Sequence, residues 1–421
     1  MPVRTARFII EKGLFVVVLA AAIVVVQGCG PSGPPPTPPS ASAPSMAEVI
    51  EEASTWKKTT EEDAREFAQH FAAAVSQGDI TTANGMIDWD TIIERVVSGI
   101  PADVGFREGF IEGSKKAALS PTGTIGQLSN QLGAEGTYRL LRIREKDNQR
   151  TALFRLTMPE GGFNYMECSL VTKPGGQTRI VDIYIFLSGE TLTATLRRVY
   201  LPAAMGHLQE GLENLSQKER DFVEGFHLFE KIAPAVRRQD FDQVIEICNQ
   251  MPKSMQEEKS LLILMLRASA DANETLYLET LDKLEELYPG DPCLDLLLID
   301  RHILNEQYDE AMASVDRLDK SVGGDPHLNY VKGELYFLQG NNQAAKEMFL
   351  KAIEEDGAQP DPYWGMITVS IQMKDFEETT RSLIRLDKNF DMEWDDMTTI
   401  KEYDEYVKSP EYQMWLEYLK Q

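Results

Sequence analysis

Three tetrapeptides stand 34 residues apart: Tyr308-Asp309-Glu310-Ala311, Asn342-Gln343-Ala344-Ala345 and Phe376-Glu377-Glu378-Thr379. A fixed period of this length restricts the C-terminal half to stacked copies of one small unit. So short a unit cannot bury its own apolar face and must lean on its neighbours. In the central copy Gly333, Tyr336, Gly340, Ala345, Phe349 and Ala352 read as two short helices around a glycine turn. The small residues let the helices approach, and the aromatic residues fill the groove between them. One period earlier, Tyr277, Leu281, Leu284 and Pro289 fall on second-helix positions, and Phe241 to Met251 reads as a still earlier second helix. About five helix–turn–helix units result. A stack also needs closed ends. The tail, residues 391–421, is rich in Trp and Tyr and is expected to cap the last unit as a helix pair.

The six residues named in the central copy match the tetratricopeptide consensus, and residues 201–390 resemble a tetratricopeptide array. That resemblance implies a solenoid whose concave wall is lined by side chains of each first helix. Mapped onto this chain, the wall includes Leu296, Asp300, Ile303, Tyr330, Glu334, Phe337, Trp364, Thr368 and Ile371. No Lys or Arg is among them. The wall therefore suits an extended or helical peptide with basic and apolar residues, and does not suit a clamp for a terminal carboxylate. Asp300, Tyr330, Glu334, Phe337, Trp364 and Thr368 are the candidate partner-binding residues, with the two acids steering a basic segment towards the wall.

The N-terminal stretch carries Arg4, Arg7 and Lys12, then an uncharged run of thirteen residues, Leu14–Val26. At about 1.5 Å per residue this run spans roughly 20 Å, short of the ~30 Å hydrocarbon layer, and reads as a secretory signal. Val26-Gln27-Gly28-Cys29 follows at once. It resembles the bacterial lipobox, with Gln27 departing from the usual Ala or Ser. The resemblance implies a signal peptide over 1–28, cleavage before Cys29, and lipidation of Cys29. Gly30, where Asp would retain a lipoprotein at the inner membrane, implies the outer membrane with the bulk facing the periplasm. Residues 30–45, GPSGPPPTPPSASAPS, form no helix or central strand because Pro removes donors and fixes φ. The segment 29–55 is expected to act as a tether.

Residues 56–200 read as an α+β domain. Thr60 and the acids Glu61, Glu62 and Asp63 open a helix whose apolar face is Phe67, Phe71, Ala74 and Val75. Shorter helical pieces follow at 80–86, 91–97 and 106–119. Four strands are expected at 137–145, 151–159, 163–173 and 178–187, separated by turn signals, forming an antiparallel meander with one wet face. The segment 71–88 and the helix-then-sheet order resemble the cone-shaped fold of nuclear transport factor two and ketosteroid isomerase. By that resemblance Asp88, Tyr138, Tyr165 and Tyr184 are counterparts of acids and tyrosines inside the cone. The alternative for the tyrosines is packing, and for Asp88 a helix cap.

Lys+Arg number 42 against Asp+Glu 67, a formal charge of −25, which disfavours a nucleic-acid partner. Cys168, Cys248 and Cys293 are far apart, with no CxxC, and read as buried free thiols. No phosphate-cradling loop or zinc-protease motif occurs, and the five histidines lack metal-ligand spacing. The expectation is therefore an α+β domain followed by an all-α tetratricopeptide solenoid. It is a lipid-anchored, non-enzymatic envelope adaptor without cofactor or metal. Two other readings stay open: a ligand-binding or catalytic site in the α+β domain, and a structural subunit of an envelope assembly.

Overall fold

A computed structural model describes residues 56–206 except 101, 147 and 160. It also describes residues 220–420 except 222–224, 226, 229–230, 233, 237, 271–272 and 391. Cys29 and the expected signal and tether lie outside the described residues. Among those described, no helix is long and apolar enough to cross a membrane. The described chain divides into two compact units between Leu297 and Leu298.

The first unit opens with α1 (Glu61–Ser76). Thr60 caps it by accepting from the Asp63 amide, and Phe71, Ala74 and Val75 are buried along the expected face. Three further helices follow, α2 (Ile80–Gly85), α3 (Trp89–Val97) and α4 (Val104–Ala118), each capped by an Asp at its N-terminus. A fifth, α5 (Thr124–Leu132), had no counterpart among the sequence expectations; its buried Ile125, Leu128 and Leu132 supply the missing apolar face.

Helices precede an antiparallel sheet, as expected, but the sheet has five strands rather than four: β1 (Thr137–Lys146), β2 (Gln149–Met158), β3 (Gly161–Thr172), β4 (Thr178–Ile185) and β5 (Glu190–Thr191), in sequence order. The fifth strand is two residues long, pairing Thr191 with Tyr184 and Glu190 with Ile185. So short an element leaves no alternation to read. Phe71 packs edge-on against Tyr138 and Phe154, which stack with ring centroids 4.8 Å apart.

The wet outer face is a second correction. Leu153, Arg155 and Tyr165, on the face opposite Phe154 and Cys168, are fully buried, and Glu167 nearly so. Polar residues tolerate burial when they find partners. Here Thr151 Oγ1 donates to Glu167 Oε1 at 2.6 Å, and Arg144 lies 3.9 Å from the same carboxylate.

Helix α6 (Leu192–Gly206) follows the sheet, and Arg198 on it pairs with Glu190 of β5 and lies 3.9 Å from Glu258. The unit then continues through α7 (Phe241–Gln250), α8 (Lys253–Gln256), α9 (Lys259–Ser269) and α10 (Glu274–Leu287). Val244, Ile247, Leu261 and Leu264 share one core there. Tyr277, Leu281 and Leu284 are the buried stripe of α10, at the expected positions. Cys168, Cys248 and Cys293 are free and buried. Burial pushes the Cys248 thiol up to about 12 and the other two higher still, so at neutral pH none supplies a thiolate.

Helix α11 (Pro292–Leu304) contains the division between the units. The second unit continues with α12 (Tyr308–Val322), α13 (Pro326–Leu338), α14 (Asn342–Glu355), α15 (Asp361–Gln372) and α16 (Phe376–Phe390). Helices α12, α14 and α16 start 34 residues apart, on the first residue of each repeated tetrapeptide. The turn residues before them, Glu306, Gly340 and Lys374, all have positive φ and recur with the same spacing.

The tail is not a helix pair. It forms single 3-10 turns at Met397–Thr399, Lys401–Tyr403 and Tyr406–Lys408, then one helix, α17 (Pro410–Tyr418). Only Met397 and Tyr406 are buried along those turns, too few for a helical stripe. Trp415, Tyr412 and Tyr406 pack with Leu383 and Leu386 of α16, closing that core.

Candidate partner-binding site

The site is built on one aromatic ring. Phe349 of α14 is fully buried, and glycines of two other helices face it, Gly333 of α13 and Gly365 of α15. A Cβ at Gly333 would stand 2.5 Å from the ring, and one at Gly365 2.6 Å. The absent side chains are what let α13 and α15 close on α14. Asp325 caps α13 and Pro326 occupies its first turn, so the stripe position of each later residue is set by helical geometry.

On α13 the spacing of four and three places Tyr330, Glu334 and Phe337 on one face, and all three are half-buried. On α15 the same spacing aligns Trp364, Thr368 and Ile371, also half-buried, with Asp361 one turn earlier. The Tyr330 ring leans on His327 and Phe349, at centroid distances of 5.4 and 5.9 Å. Thr368 Oγ1 donates back to the Trp364 carbonyl at 2.9 Å, which occupies its hydroxyl proton within the helix. Trp364 packs against Trp394 of the tail at 5.7 Å, and Trp394 in turn meets Trp415. The structure thus places a tail residue beside this end of the stripe.

Glu334 is the electrostatic centre. The residue keeps part of its surface open, but its carboxyl group is enclosed, and burial pushes its pKa up to about 7 with the Asp361 carboxylate adding to the rise. Among the described residues no hydrogen bond or ion pair reaches that carboxylate. Asp361 was not among the residues singled out from the sequence, although it lies on the same stripe three positions before Trp364. Asp300 on α11, by contrast, is buried at 6% exposure, and Ile303 and Leu296 are buried too. Tyr330, Glu334 and Phe337 are therefore the part of the expected wall that the structure brings together with Asp361 and Trp364.

The candidates in the α+β domain do not converge. Tyr138 faces the α1 side of the sheet with Phe154, whereas Tyr165 and Tyr184 belong to the opposite face with Arg155 and Glu167. Asp88 caps α3, accepting from the Thr91 amide and hydroxyl, and pairs with Lys173. Although burial raises its pKa, those bonds and the Lys173 charge together hold its carboxyl below the ordinary range. Among the described residues no group of three His, Cys, Asp or Glu could hold a metal ion. No known protein-family model matches the chain, and no curated protein matches its sequence.

Proposed function

We propose that this protein is a lipid-anchored, non-enzymatic adaptor of a bacterial envelope, which holds a partner protein on the face shared by α13 and α15. The observation that carries this reading is the half-buried stripe of Tyr330, Glu334 and Phe337, standing beside Trp364 and framed by glycine contacts to one ring. Aromatic residues held in a packed frame are the residue type that dominates binding energy at protein interfaces. The 34-residue recurrence of helix starts supports a tetratricopeptide solenoid for this half. The order of helices then sheet supports a cone-like α+β domain as its companion. The lipobox-like Val26-Gln27-Gly28-Cys29 supports the anchor, and Gly30 supports the outer membrane, with the folded part in the periplasm.

The test is affinity capture from native membranes with wild-type and Tyr330→Ala baits. The wild type should recover a partner that the variant loses, since truncating an aromatic hot spot costs about 2 kcal/mol or more. Equal recovery by both baits would move the site away from this stripe.

A further inference from the structure

The Glu334 carboxylate is enclosed, faces a second carboxylate and has no counter-charge among the described residues. A buried ionised group without a partner is costly, and proteins usually either pair it or replace it. Around it stand the rings of Tyr330 and Phe337 on its own helix and of Trp364 on α15, the helix that also carries Asp361. We infer that this juxtaposition is a seat for one basic side chain, an arginine or a lysine flanked by apolar residues, projecting from the partner segment. The inference rests on the proposed binding face and specifies what enters it.

The chemistry follows from each neighbour. A guanidinium would supply the hydrogen bonds and the positive charge that Glu334 lacks, and its planar fork suits a carboxylate. Asp361 adds negative potential from the facing helix. The aromatic faces attract a cation and cover the apolar stem of a long basic side chain. An acidic or purely apolar residue would leave Glu334 buried and unpaired, so the seat discriminates against both.

This role differs from the long-range steering expected from the sequence. A solvated acid attracts from a distance and acts on the association rate, and salt weakens it. A desolvated carboxylate that forms a direct pair acts chiefly on dissociation.

The experiment uses the full-length lipidated protein in detergent. The probe is a synthetic library of short peptides with one fixed central residue, Arg, Lys, Gln or Glu, between randomised apolar and small residues. Wild type should select the Arg-centred and Lys-centred peptides. Glu334→Gln, nearly isosteric, should weaken them roughly tenfold or more through faster dissociation and erase the preference. Glu334→Lys should turn the preference towards Glu. Tyr330→Ala should weaken peptides of every central residue. Selection that is indifferent to the central residue, or unchanged in Glu334→Gln, overturns the seat while leaving the binding face standing, provided Tyr330→Ala still loses affinity. If no library member binds the wild type, both the seat and the face are overturned. Circular dichroism of each variant separates these outcomes from misfolding.

Discussion

Adding one carbon to Gly333 tests the packing on which the site depends. A Cβ there would stand 2.5 Å from Phe349 Cε1, 2.6 Å from Cδ1 and 3.1 Å from Cζ. Carbon atoms rest at about 3.5–4.0 Å, so the ring would have to retreat by roughly 1 Å. It cannot retreat freely, because a Cβ-sized space at Gly365 is already taken by the same ring. Overpacking of this kind costs about 1–3 kcal/mol. Against it stands the helix preference of Ala over Gly, about 1 kcal/mol at an interior position. Gly333→Ala should therefore destabilise the second unit by up to about 2 kcal/mol, and Gly333→Leu by about 3 kcal/mol or more. Urea unfolding of the full chain, followed by tryptophan fluorescence, reads this out; Trp364, Trp394 and Trp415 all lie in that unit. With a slope of about 1–3 kcal/mol per molar, the Ala variant should lower the midpoint by as much as ~1 M. The decisive comparison is a double-mutant cycle with Phe349→Leu. Removing the ring should make Gly333→Ala neutral or stabilising, with a coupling of about 1–3 kcal/mol. Equal cost of Gly333→Ala in both backgrounds, or a raised midpoint in the wild-type background, would refute the clamp.

Further outcomes are expected on the same footing. Because the Glu334 carboxyl titrates near 7 when folded, against an ordinary value of 4.5, the folded form holds its proton more tightly than the unfolded form. Stability should therefore fall as pH rises from about 4.5 through 7, and Glu334→Gln should remove that fall and gain about 1–3 kcal/mol at pH 8; parallel pH series of urea midpoints for the two proteins would disprove it. Glu306 is exposed at φ 56°, where Gly340 occupies the equivalent turn one period later, so Glu306→Gly should raise stability by about 0.5–1 kcal/mol, read as an increased midpoint. Cys29→Ser should abolish labelling by a fatty-acid analogue in growing cells, and undiminished labelling would exclude lipid attachment at that sulfur.

Sequence by itself determined those elements whose cause is local. The helix that Thr60 caps, the strands separated by Gly-rich turns, and the helix starts at Tyr308, Asn342 and Phe376 all follow from patterns within one turn or one repeat. So does the shared stripe of Tyr330, Glu334 and Phe337, since residues three and four apart must lie together on a helix. What only the tertiary structure decided depends on elements meeting from far apart in the chain. The two-residue β5 exists because β4 offers it an edge. Arg155 and Glu167 alternate as solvated residues would, yet the fold buries both, and alternation cannot tell a wet face from a second buried one. Trp364 reads as a wall anchor until the tail brings Trp394 against it. Glu334 reads as a surface acid, and acquires its raised pKa only when α15 sets Asp361 near it and the surrounding packing takes water away. Periodicity assigns a residue to a face; the dielectric and the charges opposite that face are properties of what packs there.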